Sequence, residues 1–545
     1  MSNDRTQAAS IPPSIEGNPS EPTEQSAIAI ATRSGLSDAW HVVILATMAV
    51  VSSTGWYGLY RWYGLVENRN QAHFGFDKIA GWFDSPVIRQ TALIFLVIAG
   101  AYAVTIWSLR SLRSITGPVR LVVLLLIAGP VVANVALYPV GALDVFNYLI
   151  ELKLAFHYDQ NPYLVTFEAY QADSFAKSAF LIDIPLFYGP AWLLVSWIPL
   201  AVTGYDDVIT ALFALKLLNV TLLAITALLI AAYQRDARSR WIAAVAFLAN
   251  PLVLFEGVAN AHNDVLLGAF LLGAMLALQR KSPLAGPLLA LSALVKLYTV
   301  VLVPLFIVAA LKDRWGWRRA ALTSVLATLT VAVVSAGYWG DGELVEGLRT
   351  GLEQSQEMDH VSPYSLAQQF AQEREADGNL NAEFLRSRPS VEIVPEAIQE
   401  RLRFGFAAVF TVAALLIAAS IWKGRAPEQA AAETLLLMML LLTNLYGWYL
   451  IPVFALLALR LDRLNRGYIA TATALGLVYY PMFVYAHFNT EWTRFQVHLF
   501  LALFLTVPIL LYLAARSWAG FMDHREKKAS GDPSATGATG SGAPI

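Results

Sequence analysis

Residues 121–140 read LVVLLLIAGPVVANVALYPV, without one charged side chain. A helix rises 1.5 Å per residue, so a run of this length spans a hydrocarbon core of about 30 Å. The apolar residues do not alternate with polar ones, as they would in a lipid-facing β-barrel strand. The run therefore predicts a membrane-crossing helix, and the pattern recurs. Comparable runs lie at roughly 40–58, 91–109, 208–232, 241–259, 264–279, 320–340, 404–422, 430–447, 449–460, 467–487 and 495–515, parted by charged or Gly/Pro-bearing stretches. A further run, 284–311, breaks around Lys296 and reads as two short or bent helices. Of the 545 residues 57% are hydrophobic and 14% charged, with a mean hydropathy of +0.53. A soluble domain carries about 25% charged residues. The expected fold is an all-α polytopic membrane protein with about 13–15 membrane helices and two large non-cytoplasmic loops.

Basic residues set the expected orientation. They crowd into the short stretches 110–120, 235–240, 280–281, 312–319, 423–425 and 460–466, whose acids are only Asp236, Asp313 and Asp462, with Glu428 just after the fifth. Such stretches stay cytoplasmic, which puts the acid-rich loops 141–186 and 341–403 outside and both termini inside. Residues 187–203 are long enough to cross, but a crossing would invert the Arg235 loop, so a re-entrant helix is expected there. Residues 1–36 and 521–545 read as disordered cytoplasmic tails around a single membrane domain, 37–520. No cysteine is present, which excludes disulfides, thiolate metal sites and cysteine nucleophiles. The net charge of −2 gives no sign of a nucleic-acid partner.

In such a chain the informative residues are the ionisable ones at membrane depth, each costing about 2.5–3.5 kcal/mol at a helix centre. They are Asp144, Glu151, Lys216, Glu256, His262, Asp264 and Lys296. Asp144 opens VFNYLIEL as a helix cap, or else stands as an interfacial carboxylate able to take a proton from a sugar hydroxyl. The helix after it, with Asn147 and Glu151 four apart, looks suited to lying along the membrane surface. Asn260, His262, Asn263 and Asp264 sit in a tight turn, where Asn and Asp are ordinary turn and cap residues; the alternative is a polar lip on the same cavity as Asp144. Lys296 and Lys216 either snorkel or neutralise a lipid phosphate. His360 lies in the second loop, and Trp448–Tyr449 belt an interface or stack on a sugar. No metal cage is evident.

Together these residues resemble the C-type superfamily of membrane glycosyltransferases, and within it the bacterial polyprenol-phosphate-mannose-dependent mannosyltransferases. An ordered series of short motifs carries the likeness: Asp144, Tyr148, Asn161, Pro162 and Tyr163; then Tyr188, Gly189, Pro190 and Trp192; His262 to Asp264; Lys296, Tyr298 and Pro304; and Trp448, Tyr449 and Pro452. The resemblance implies transfer of a sugar, mannose by preference, from a polyprenyl-phosphate carrier to a glycan or glycolipid acceptor. Transfer takes place on the non-cytoplasmic face of the plasma membrane, with no further cofactor. The acid of the large outer loop, here Asp144, is then the base. Tyr148, Glu151, Asn161, Tyr163, Tyr188, His262, Asn263, Asp264, Lys296, Tyr298, His360, Trp448 and Tyr449 are the expected substrate-binding residues. An extra hairpin at roughly 40–109 departs from the family pattern. The rival readings are a lipid or solute transporter, which a second pair of buried acids near the cytoplasmic side would favour, and a structural subunit.

Overall fold

Caps and prolines at the ends of the apolar runs set the helix boundaries. The computed structural model describes residues 37–68, 85–340, 342–355, 361–375, 396–442 and 445–529. Helices α1 (Asp38–Tyr63), α2 (Ser85–Ser111) and α3 (Gly117–Ala136) form the first layer, and α4 (Asp144–Phe156) and α5 (Pro190–Thr203) follow. Asp207 caps α6 (Val208–Tyr233) by accepting the Thr210 N–H, and Asp236 caps α7 (Ala237–Leu248) through Ser239 N–H. Asn250 caps α8 (Pro251–Leu254), which widens into a π-turn over Phe255–Ala259. Next come α9 (Asp264–Gln279), α10 (Ala285–Ala293), a 3-10 turn (Leu297–Leu302), α11 (Val303–Lys312) and α12 (Trp317–Ser335). The second loop carries α13 (Glu343–Ser355) and α14 (Pro363–Glu375). The chain ends with α15 (Glu396–Ser420), α16 (Pro427–Met439), α17 (Leu450–Ala458), α18 (Arg463–Phe488), α19 (Arg494–Ala502) and α20 (Thr506–Ala529).

Among the described residues seven helices are singly long and apolar enough to cross a membrane, and nine if α7–α8 and α19–α20, bent by 51° and 42°, each count as one. Of four shorter apolar helices, those at 264–279, 297–312 and 447–458 fall in other expected runs, and that at 190–203 falls in the segment expected to be re-entrant. The run 284–311 does break at Lys296, and 430–447 stops at Met439. Both form hairpins, with Lys296 and Trp448 at their tips. Helix α9 is buried on nearly all sides, as a helix apolar all round must be. By contrast, α12 and α15 bury almost nothing and sit at the periphery.

The basic stretches converge on one end of the bundle. Arg110 donates to Leu461 O at 3.1 Å, Gln234 to Leu459 O at 2.9 Å, and Lys281 to Asp313 O at 2.8 Å. Gln279, at the end of α9, donates to the Tyr233 hydroxyl at the end of α6 at 2.8 Å. Asp144, His262, Lys296 and Trp448 lie toward the other end. Helix α5, with its 14 residues, is about 21 Å long and too short for a crossing. Both its ends stay on the Asp144 side: Gly189 N–H donates to Val295 O at 3.0 Å, and Lys153 donates to Tyr205 O at 2.9 Å.

Helix α4 does not lie along a surface. Residues Val145 to Leu154 are all buried, because the loop 157–188 folds back over it. Lys153 pairs with Asp173 at 2.7 Å, and Asn147 Oδ1 accepts the Phe180 N–H at 3.0 Å. These contacts join residues far apart in sequence, so the 3.6-residue pattern of the helix carried no sign of them. At the C-terminus, α20 continues to Ala529, past the expected start of the tail at 521; Arg, Glu and Lys there are good helix formers. The expected tail 1–36, the end of the chain from 530 and His360 lie outside the described residues.

Candidate active site

Asp144 is the first helical residue of α4, and Leu143 holds the cap position. Its carboxylate is therefore in the first turn, where the helix dipole favours a negative charge. The Tyr188 hydroxyl donates to Asp144 Oδ1 at 3.3 Å and accepts from the Tyr148 hydroxyl at 3.5 Å. Tyr148 lies edge-on to both Tyr188 and Trp192, ring centres 5.1 Å apart in each case. Tyr163 hydroxyl donates to Tyr188 O at 2.9 Å. Tyr148 and Tyr163 are fully buried, whereas Asp144 is only half-buried. The carboxylate is thus the reachable edge of a packed aromatic group. Burial raises its pKa above the ordinary carboxylate value, and the Lys296 charge opposes the rise. Glu151, seven residues on and on the same face of α4, is pushed to about 8 by burial and by the charge of Asp144.

Gly189 brings the second group up to the first. Its N–H and that of Ala191 donate to Val295 O and Leu294 O at 3.0 and 3.1 Å, two residues ahead of Lys296. Lys296 Nζ lies 2.6 Å from Asp264 Oδ2, and the Tyr298 hydroxyl donates to Asp264 Oδ1 at 3.0 Å. The ammonium also stands over the rings of Tyr188 and Tyr449, 5.3 and 5.1 Å from their centres. The turn residues do not cap α9. Asn263 makes no cap bond, and Asp264 commits its carboxylate to Lys296 and Tyr298.

A stack of rings forms the third group. His262 lies on Trp448, ring centres 3.9 Å apart at 22°, and Tyr446 covers the other side at 4.2 Å and 16°. Both ring nitrogens of His262 and the amide of Asn263 have no hydrogen-bond partner among the described residues. Tyr449 meets Tyr298 edge-on at 5.7 Å.

The expected residues thus divide. Asp144, Tyr148, Tyr188, His262, Asn263, Asp264, Lys296, Tyr298, Trp448 and Tyr449 form one contiguous group. Tyr163 buttresses Tyr188 from behind. Glu151 is buried deeper along α4, with Oε2 unpartnered among the described residues. Asn161 stands apart and donates to Glu343 Oε2 of α13 at 3.0 Å. Lys216, the other lysine in question, is fully buried and donates to Leu137 O at the C-terminus of α3. It thereby satisfies a carbonyl that the helix leaves open. Sequence reasoning had no place for Tyr446 or for the contacts of Glu256; the acid inside FEGVAN was the available signal.

A second pair of buried acids does exist at the basic end, Glu428 and Glu433. Glu433 is closed by Arg425 at 2.6 Å and Arg516 at 3.6 Å, and Glu428 faces Arg460 at 3.9 Å. Among the described residues no group of three or more His, Asp or Glu is placed to hold a metal ion.

Residues 46–312 match the family described as alpha-(1->6)-mannopyranosyltransferase, N-terminal domain. Residues 186–452 match glycosyltransferase family 87. No curated protein and no solved structure matches the chain. The two family matches overlap over residues 186–312, which hold the Gly189 crossing and the Asp264–Lys296 pair, and together they take in every member of the contiguous group. With membrane-length helices in the described residues, the chain is a membrane glycosyltransferase, similar to the alpha-(1->6)-mannopyranosyltransferases and to glycosyltransferase family 87.

Proposed function

We propose that the protein moves a sugar, mannose by preference, from a polyprenyl-phosphate carrier to a glycan or glycolipid acceptor, with Asp144 as the base. The observation that carries this reading is the half-buried Asp144 carboxylate, held by Tyr188 beside the Lys296 ammonium. The acceptor hydroxyl loses its proton to Asp144 as its oxygen attacks the anomeric carbon. The bond from that carbon to the phosphate oxygen breaks, and its electrons leave with the polyprenyl phosphate. A single displacement inverts configuration, so a β-linked donor gives an α-linked product. General-base help of this kind is worth about 10²–10⁴-fold. Lys296 faces the phosphate, where a preorganised cation stabilises the charge that grows on departure. It already shares Asp264, so the donor phosphate competes with, and is oriented by, an existing ion pair. Asp264, Tyr298, Asn263, His262 and the Trp448–Tyr449 rings shape the pocket around the sugar.

The carrier's chain needs an apolar path. Leu297, Val300, Val303, Ile307 and Leu311 form an exposed stripe that starts next to Lys296. Helix α12 packs on α10 and α15 on α11, so the two peripheral spans flank this stripe as walls. The orientation we propose has the basic end cytoplasmic, both termini inside and the Asp144 end on the outer face of the plasma membrane. The transporter reading gains little from Glu428 and Glu433, since arginines of the same bundle close both.

The test is transfer by purified protein in lipid nanodiscs, offered radiolabelled polyprenyl-phosphate mannose or a nucleotide sugar, with and without chelator. The reading expects label to move from the lipid carrier alone, with an α-anomeric product and no loss on chelation. Transfer from the nucleotide sugar, or a β product, refutes it.

A further inference from the structure

The transfer chemistry leaves the buried acid Glu256 without a role. Glu256 lies in the π-turn after α8, and its side chain is fully buried. Both of its oxygens are engaged: Oε2 accepts from Asn260 Nδ2 at 2.9 Å, and Oε1 accepts from the Tyr480 hydroxyl of α18. Asn260 passes the restraint on, since its Oδ1 accepts the N–H of Gly141 at 3.0 Å, just ahead of Asp144. On another side, a β-carbon at Gly447 would lie 2.6 Å from Glu256 Oε1, so the backbone leading into Trp448 rests directly on this carboxyl group. His262, which stacks on Trp448, brings its Nε2 to 3.6 Å from Oε2. A carboxyl group at this depth is expensive where an apolar side chain would fill the space freely. Moreover, π-turns are rare and are frequently found at functional sites.

We propose that Glu256 is a positioning residue. It ties the Gly141–Asp144 turn and the Gly447–Trp448 ring platform to α18 at a fixed separation, so that base and sugar-binding face meet the donor in register. The inference rests on the transferase reading and extends it to a residue that touches no substrate.

The bonding pattern prescribes a rescue. Glu256→Gln keeps both partners by accepting from Asn260 and donating its amide N–H to the Tyr480 hydroxyl oxygen, so by itself it is expected to lose little. Asn260→Asp sets two carboxyl groups against each other. The double variant restores every bond, because the new amide donates to the new carboxylate, whose other oxygen still accepts from Gly141. The full-length protein in nanodiscs, with polyprenyl-phosphate mannose as donor, is expected to lose about 10²-fold in kcat in Asn260→Asp, with KM held. The double variant is expected to recover to within about tenfold of wild type, a coupling that independent sites do not show. Should either single variant not fold, Gly141→Ala serves, since its β-carbon would lie 2.3 Å from Asn260 Nδ2 and displace that amide without touching the acid; it too should lose kcat. Wild-type kcat in Asn260→Asp or Gly141→Ala, or a double variant no better than Asn260→Asp alone, overturns the proposal. A wild type that does not use this donor overturns the transferase reading instead, so the two failures are told apart.

Discussion

Gly189→Ala is the most informative small change in the molecule. Gly189 has ordinary extended backbone angles, so alanine is excluded by space alone. Its β-carbon would lie 2.0 Å from Leu294 O and 2.5 Å from Leu294 C, both backbone atoms with no rotamer to turn. Reaching ordinary contact near 3.4 Å requires the two segments to part by roughly 1.4 Å. The bonds from Gly189 N–H to Val295 O and from Ala191 N–H to Leu294 O, at 3.0 and 3.1 Å, are lost at that separation. At about 0.5–1.5 kcal/mol net for each bond, the stability cost is about 1–3 kcal/mol. The kinetic cost is larger. Tyr188, which holds Asp144, precedes Gly189, and Lys296 follows Val295, so the same displacement moves base and cation apart. A misplacement of about 1 Å costs on the order of 10²-fold. Initial rates of transfer in nanodiscs, with intrinsic-fluorescence melting on the same samples, measure both effects. A variant with wild-type kcat refutes the claim that this backbone crossing sets the distance between Asp144 and Lys296.

Two further predictions concern charge. Lys296→Met leaves Asp264 buried without its ion-pair partner and is expected to destabilise the protein by about 3–5 kcal/mol and abolish transfer. Adding Asp264→Asn should restore the melting temperature but not the activity, and a double variant that regains transfer removes Lys296 from the phosphate. For Glu151 the folded pKa is raised, to about 8. Its contribution to stability is therefore complete below the usual glutamate value and is lost as pH rises through about 8. Glu151→Gln is expected to flatten melting temperature against pH across that window, and an unchanged slope contradicts the assignment. Asp144 is raised as well, so the acid limb of kcat is expected above the ordinary aspartate range, since the base works only when deprotonated.

What the sequence made legible was governed by range. Span 208–232 and helix α6 agree to within a residue, because an apolar run between Asp207 and Gln234 decides itself locally. The Asn250–Pro251 pair that bends α7 against α8 was equally visible, as a cap followed by a first-turn proline, yet the run 241–259 reads as one span until that dipeptide is given weight. Asp144, His262 and Lys296 stood out because charge is costly in an apolar chain. Their partners did not, because Asp264 and Lys296 are 32 residues apart and no local pattern pairs them. The same reason hides the burial of α4, whose cover comes from a loop that returns after the helix has ended.

The central claim is that one carboxylate removes the acceptor's proton. Asp144→Asn keeps the shape and can still take the Tyr188 hydroxyl bond, but it has no basic oxygen. Single-turnover transfer of radiolabelled mannose from polyprenyl phosphate, with donor binding measured in parallel, tests it most directly. The account predicts a rate lower by about 10²–10⁴-fold at unchanged donor affinity, whereas an unchanged rate would show that the base lies elsewhere.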